Sequence, residues 1–338
     1  GGVYNNDSAE LEVSNSRFSV NESEDGAGIF NELAGDVVVE NTTFTANVAS
    51  GNGGAIYNDD GTVDSDRTIY SSNSALESGG AIYNTSNGNV TLLGDTLSLN
   101  SAPTRGGAIN NYGWLTVGDT TLIYNSSGDG GAIATARNLD MAESAVSYND
   151  ASSDGGGVFN DEVGVVSITE SVFDGNAAGV DGGGLTNVDS GVMTIEFTSV
   201  TDNQAGSDGA GVHNTSAAGL NISASLLYGN EATGSGGGVS NDSVGVATVV
   251  NTTLSGNLAA TGGGLFNQGE FGLTHSTVYK NTATDGGGVA NSPTVPDVIV
   301  MRNTIVANNT STAVGPDVFG SGYQSDGHNL IGDVGNLI

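Results

Sequence analysis

The stretch Gly53-Gly54-Ala55-Ile56-Tyr57-Asn58 decides the fold, because the chain keeps repeating it. Its wording is two or three small residues, one branched apolar residue, one variable residue, then Asn. The apolar residue recurs at Val3, Ile29, Ile56, Ile82, Ile109, Ile133, Val158, Leu185, Val212, Val239, Leu265 and Val289, at intervals of 24 to 27 residues. The closing Asn is present in every copy but one, where Thr135 stands. A fixed period of this length marks a repeat architecture. The 338 residues therefore read as one elongated solenoid over residues 1–309, not as two ordinary domains.

Each repeat holds two further apolar segments. The second alternates like a strand with one face inward, as in Val37 and Val39, Val90 and Leu92, or Leu115 and Val117. The third reads Ser or Thr, any, apolar, any, any, Asn, as in Ser16 to Asn21, Thr42 to Asn47, Ser171 to Asn176 and Thr252 to Asn257. Its Asn is assigned to Asn21, Asn47, Asn73, Asn100, Asn125, Asn149, Asn176, Asn203, Asn230, Asn257, Asn281 and Asn308. Ala usually follows two places later, which predicts an inward corner with little room. No segment has a helical period, and glycine and β-branched residues disfavour helices. Propeller blades need about 40 residues per repeat, and the spaced leucines of leucine-rich repeats are missing.

The fold class that remains is all-β: a right-handed parallel β-helix of about 12–13 coils of 24–27 residues, with three short strands per coil. The hand follows the general rule for parallel crossovers. Coils stacked about 4.8 Å apart predict a rod roughly 60 Å long. Stacking also aligns equal slots. The apolar slots become core columns. The Asn slots become ladders in which one amide donates to the next; Asn58 and Asn84 belong to one, and Asn21, Asn47, Asn73, Asn176, Asn203, Asn230 and Asn257 to the other. Asn also tolerates left-handed backbone at a corner. After Asn309 the pattern decays, so residues 310–338 read as an irregular last coil. The ending Asn336-Leu337-Ile338 reads as a cut within a longer precursor.

Two motifs carry a resemblance. Gly-Gly-Ala-Ile occurs at 53–56, 79–82, 106–109 and 130–133, and Phe-x-x-Asn at Phe18 to Asn21, Phe44 to Asn47 and Phe173 to Asn176. The pair resembles the repeats of the chlamydial polymorphic outer-membrane proteins and of a wider set of secreted bacterial repeat proteins. His328-Asn329-Leu330-Ile331-Gly332 resembles the ending of repeat regions in large surface proteins of environmental bacteria. The resemblance implies a β-helix at the cell surface, often an adhesin or passenger.

Charge narrows the partners. Against 38 acidic residues stand six basic ones, a net charge of −32. Such a surface repels nucleic acid and anionic lipid, and acidic glycans unless cations bridge them. There is no Cys, which suits a long extracellular solenoid with no need of staples. No apolar run is long enough for a membrane-spanning helix.

Candidate sites are few. The variable slot of the opening phrase holds Tyr4, Phe30, Tyr57 and Tyr83 in four consecutive coils, with Phe159 and Phe266 later. Alternation turns them outward, an aromatic stripe fit for sugar stacking or a partner surface. Asp precedes the glycines at Asp25, Asp129, Asp154, Asp181, Asp208 and Asp285; Asp154, Asp181 and Asp208 fall in consecutive coils, where Ca²⁺ could relieve their repulsion. His213 shares the outward slot, His275 replaces a corner Asn, and His328 lies beside Asp326 in the tail; the first two read as surface substitutions. The basic residues are scattered and no paired-Asp motif occurs, so no catalytic residue is assigned. The expected function is a non-enzymatic extracellular or cell-surface rod, an adhesin, passenger or stalk, whose partners are cell-surface glycans or other surface proteins. The alternatives are a glycan-binding or glycan-cleaving β-helix and a filament subunit self-associating end to end.

Overall fold

The computed structural model describes residues 1–292 and 298–333; the ending Asn336-Leu337-Ile338 lies outside them. The regular elements are β-strands, and all their pairings are parallel. The chain divides into two compact units, Gly1–Ser167 and Ile168–Ile338.

In the first unit, the opening phrase forms the first strand of each coil, from Val3–Asn5 through Ile56–Asn58 to Val158–Asn160. Equal slots stack without slippage: Ile29 on Ile56, Phe30 on Tyr57, Asn31 on Asn58. The alternating segment makes a second sheet, where Val37 pairs with Val63 and Val39 with Ser65. The third segment makes a third sheet, with Phe44 on Tyr70. The second unit repeats this plan from Leu185–Asn187 to Val318–Gly320. After Asn309, Val318 pairs with Val289, Tyr323 with Ile299 and Leu330 with Ile305, so each of the three sheets gains one more strand.

A coil has more than the three strands expected. A fourth, two residues long, occurs in both units; Val48–Ala49 pairs with Ser74–Ala75 and Ala177–Ala178 with Gln204–Ala205. Its inward residue is the recurrent Ala, and Ala49, Ala75 and Ala205 are buried. A methyl fills that corner, and Ser takes the same slot at Ser23 and Ser127, so small side chains are what it holds.

The core is the apolar columns. Ile29, Ile56, Ile82 and Ile109 are fully buried, each contributing about 1.5–3 kcal/mol by its burial. Phe18, Phe44 and Tyr70 form an aromatic stack with ring centroids 4.8 and 5.1 Å apart. Gly53 has φ +65, and an added Cβ would collide with the carbonyl of Ile56, so glycine permits the bend into the strand.

Both Asn columns are hydrogen-bonded ladders with one polarity. Asn31 Nδ2 donates to Asn58 Oδ1 at 2.7 Å, Asn58 to Asn84 at 2.8 Å, and Asn84 to Asn111 at 2.8 Å. In the other ladder Asn21, Asn47 and Asn73 each donate to the next coil at 2.8–3.1 Å, as do Asn176, Asn203, Asn230 and Asn257 at 2.9–3.0 Å. Two details differ from the sequence reading. The rung above Asn281 is Asn309, not Asn308, because Thr304 sets the template and Asn309 stands five places on. The left-handed residue is also the one before the rung, as at Ala46, Ser72, Leu99 and Asn308; the Asn side chain is held by the ladder, and its neighbour makes the corner.

The sequence reading missed a third ladder. The Ser or Thr opening the third segment accepts a backbone N–H from the preceding coil: Thr42 N–H donates to Thr68 Oγ1, Thr120 N–H to Ser144 Oγ and Thr198 N–H to Ser225 Oγ. One rung of it is Asp95, whose Oδ1 accepts Thr68 N–H at 2.6 Å. Asp95 lies beside the fully buried Tyr70, whose hydroxyl meets Ser65 Oγ at 2.9 Å. Asp95 Oδ2 is buried without a hydrogen-bond partner, and burial pushes the carboxyl up to about 7 against the pull of Thr68 N–H.

Candidate functional site

The variable slot of the first sheet forms the floor of a strip along each unit. One rim is the turn before the strand, where Asp and Gly alternate with Ser, Glu and Thr. The other is the turn after the ladder Asn. In the first unit the floor holds Tyr4, Phe30, Tyr57 and Tyr83 as a continuous column. Successive ring centroids lie 5.5, 4.9 and 5.1 Å apart, and the last two pairs are within 8–11° of parallel. Tyr112, two places beyond its strand's slot, joins at 6.0 Å with a tilt. Tyr4 is exposed, while Phe30, Tyr57 and Tyr83 are half-buried.

Carboxylates flank this floor on both sides. Asp25 and Glu77 stand on the first rim, joined through Asn52, whose backbone N–H donates to Asp25 Oδ1 at 2.6 Å and whose amide donates to Glu77 at 3.2 Å. Glu32, Asp59 and Asp60 stand on the second rim. Glu32 accepts the Tyr4 hydroxyl, and Thr85 Oγ1 donates to Asp60 at 3.2 Å. Desolvation, then the charges of Asp59, Asp25 and Asp60, push the Tyr57 phenol up to about 12. Desolvation, the neighbouring Tyr112 and Tyr57, and then Asp25 and Glu77 do the same for Tyr83. Both phenols thus keep their protons at neutral pH and remain donors. Desolvation and then Asp60 raise the Asp59 carboxyl. An open cleft of about 400 Å³ begins here, lined by Tyr4 and Phe30 and by Glu24 and Asp25.

Further along the same unit the strip holds a cation of its own. Arg105 occupies the turn slot that is Asp in other coils. Its guanidinium bonds to Asp161, lies 3.9 Å from Asp129 and sits 5.4 Å from the Phe159 ring centroid. Asp129 belongs to the first rim and Asp161, directly after ladder residue Asn160, to the second. Burial works against the Arg105 charge, but its hydrogen bond with Asp161 and the charge there outweigh it, and the pKa moves up. Phe159, expected outward in the stripe, is 6% exposed, because this side chain covers it. The sequence signal was available: a lone Arg in an acidic turn column, with Asp161 after the ladder.

In the second unit the floor corrects another expectation. His213 is not on the surface; it is 3% exposed, 3.7 Å from Asp242 and 4.0 Å from Asp181. The reason is Gly209, with φ +62, whose turn lies so close over the strand that an added Cβ would stand 2.7 Å from His213 Cα. Small and medium side chains in this slot, including Thr186 and Ser240, are buried under such turns; only larger rings rise past them. Burial, opposed by His213 and reinforced by Asp208 and Asp181, raises the Asp242 carboxyl. His275 is exposed and meets Asn303 at 2.7 Å, and His328 is exposed in the tail.

The acidic turn column has a structural role. Asp181 Oδ1 accepts the backbone N–H of Asp208 at 2.8 Å, and Asp208 Oδ1 accepts that of Ser235, so each carboxylate caps the turn one coil on. Asp154 belongs to the first unit and Asp181 and Asp208 to the second. Among the described residues, no group of three or more His, Asp or Glu side chains is arranged to hold a metal ion.

The comparison with known families fits this coil plan. The Chlamydia polymorphic membrane protein repeat matches residues 41–59. The chain is a parallel β-helix repeat protein like those membrane proteins. The matched stretch covers one third strand, its ladder rung Asn47, the short fourth strand and the next glycine turn with Ile56–Asn58. The repeat signature therefore contains the corner, core and ladder slots, with Tyr57 the one floor residue among them. No curated protein and no solved structure matched the chain.

Proposed function

We propose that this chain is the β-helix of an extracellular or cell-surface protein that works by binding, in the manner of an adhesin or passenger. One observation carries this reading. The recurrent inward Asn, Ser and Thr side chains are engaged in the three ladders, whereas Phe30, Tyr57 and Tyr83 stay half-exposed between two rows of carboxylates in a slot whose identity the fold does not dictate. The repeat type supports the location, since its namesake proteins are membrane proteins of bacteria. Among the described residues, no helix is long and apolar enough to cross a membrane.

The test replaces Tyr4, Phe30, Tyr57 and Tyr83 together by Ser and measures binding of labelled protein to a panel of cells and immobilised glycans. Loss of binding with an unchanged circular dichroism spectrum is expected. Undiminished binding would refute the assignment of the strip.

A further inference from the structure

We infer that the acid-rimmed aromatic strip of the first unit receives an extended, arginine-bearing peptide segment of a partner protein. The inference rests on the binding reading above and names the chemistry of its partner.

Ring orientation comes first. Phe30, Tyr57 and Tyr83 are stacked nearly parallel at 4.9–5.1 Å, so each covers its neighbour's face. What points out of the strip is ring edges and phenol hydroxyls. A sugar stacks on a ring face, and those faces are taken. Ring edges carry the positive side of the aromatic quadrupole, which sits well beside Asp25, Glu32 and Asp59. They also offer an apolar ledge for an aliphatic side-chain stem whose charged head lies beyond it.

Charge comes second. Asp25 and Glu77 line one rim and Glu32, Asp59 and Asp60 the other, and among the described residues none of the five takes part in an ion pair. The nearest basic side chain in sequence, Arg67, is paired with its own neighbour Asp66 at 2.5 Å. Two facing rows of unpaired carboxylates over an apolar floor are complementary to cations with apolar stems.

The third point is what the chain does elsewhere in the strip. Arg105 lies along the floor and its guanidinium reaches Asp129 on one rim and Asp161 on the other. Asp161 follows Asn160 as Asp59 follows Asn58 and Glu32 follows Asn31. The same slots that hold an internal guanidinium at Arg105 are present, without one, between Phe30 and Tyr83. A planar fork of donors bridges two carboxylates better than a compact ammonium does. The floor from Phe30 to Tyr83 spans two coil rises, about 10 Å, and same-side residues of an extended peptide are about 6.7 Å apart. Two arginines separated by one residue fit that length.

The experiment titrates the whole protein into a fluorescein-labelled heptapeptide alternating Ser and Arg, and into the same peptide with citrulline for Arg, at about 150 mM salt, where long-range attraction is screened. The rim variant combines Asp25→Asn, Glu32→Gln and Asp59→Asn. A control of equal charge change on the second sheet combines Glu12→Gln, Glu40→Gln and Asp64→Asn, three exposed positions. We expect the arginine peptide to bind, the citrulline peptide to bind at least about tenfold more weakly, and the rim variant to lose about tenfold while the control stays within about twofold. Equal losses from rim and control would mean diffuse attraction by an acidic surface and would overturn the inference, as would equal binding of citrulline. If the arginine peptide fails to bind while the four-Ser variant still loses cell or glycan binding, the inference falls and the binding strip stands. If neither effect appears, both fall.

Discussion

Replacing Asn58 by Ala removes one rung from a ladder whose bonds can be followed atom by atom. Asn58 is fully buried. Its amide donates to Asn84 Oδ1 and to the Gly61 carbonyl, both at 2.8 Å, and its Oδ1 accepts from Asn31 at 2.7 Å. After truncation Asn31 Nδ2 still reaches the Gly35 carbonyl at 2.7 Å, and the Gly61 carbonyl still accepts Asn89 N–H at 2.9 Å. Asn84 Oδ1 is left without its donor. One orphaned buried acceptor and one unmade bond cost about 2–3 kcal/mol. The chain contains its own milder version: at Thr135 the rung survives as an acceptor for Asn111 Nδ2 at 3.0 Å. Asn58→Thr is therefore expected to cost about 1 kcal/mol less than Asn58→Ala. Because coils couple chiefly to their neighbours, a single global midpoint would blur the effect. The assay is hydrogen exchange under graded urea, read on peptides containing Ile29–Asn31, Ile56–Asn58 and Ile82–Asn84. Lower protection is expected in these coils and not in the second unit. Opening free energies unchanged to within about 0.5 kcal/mol, or a Thr variant as damaged as the Ala variant, would refute the reasoning.

Two further outcomes follow from departures from the repeat. Burial raises the folded-state pKa of Asp95 to about 7, above the ordinary value of about 3.9 for a free Asp. The folded protein thus holds this proton more tightly than the unfolded chain, so stability declines as pH rises from about 4 to 7 and levels off above. Asp95→Asn is expected to remove that part of the pH dependence and raise stability at pH 8 by up to about 4 kcal/mol; urea midpoints against pH for both proteins check it, and parallel curves would contradict it. Truncating Arg105 removes the cation that bonds to the mostly buried Asp161 carboxylate, and the expected loss is roughly 2–3 kcal/mol, discounted for the partial exposure of the pair. Adding Asp161→Asn to Arg105→Ala is expected to recover part of it, by thermal denaturation; a double variant no more stable than the single one would argue against the pair.

The fold was legible because each repeated slot has one physical task. Ile56 and its equivalents must be apolar, Ala49 and its equivalents must be small, and the ladder residues must both donate and accept, so each leaves the same letter at the same interval. What was hidden involves side chains that reach across slots. The opening Ser or Thr of the third segment looked like a turn residue, and its part in a ladder shows only when coils are stacked. His213 was placed outside because strand alternation says which side of the sheet a residue faces, and not whether a turn such as Gly209 lies over that side. Arg105 spans from its own turn to Asp161, fifty-six positions away in sequence, which no local pattern reports. The aromatic column was visible as letters, but that its rings cover one another's faces, which changes what it can bind, required coordinates.

The shared polarity of the ladders bears on how such a chain can change length. In the first unit each ladder bond runs forward, from an N–H of one coil to a side-chain oxygen of the next, in the Asn ladders and the hydroxyl ladder alike. A duplication or deletion of one whole period, such as residues 56–81, would join a donating edge to an accepting edge of the same kind. An insertion of half a period would set inward slots against outward ones, as Ile56 against the position of exposed Ile69 and buried Tyr70 against that of half-exposed Tyr83. Gene-level slippage is thus tolerated in units of a coil, and the number of coils is free to drift while the number of residues within one is held nearly constant.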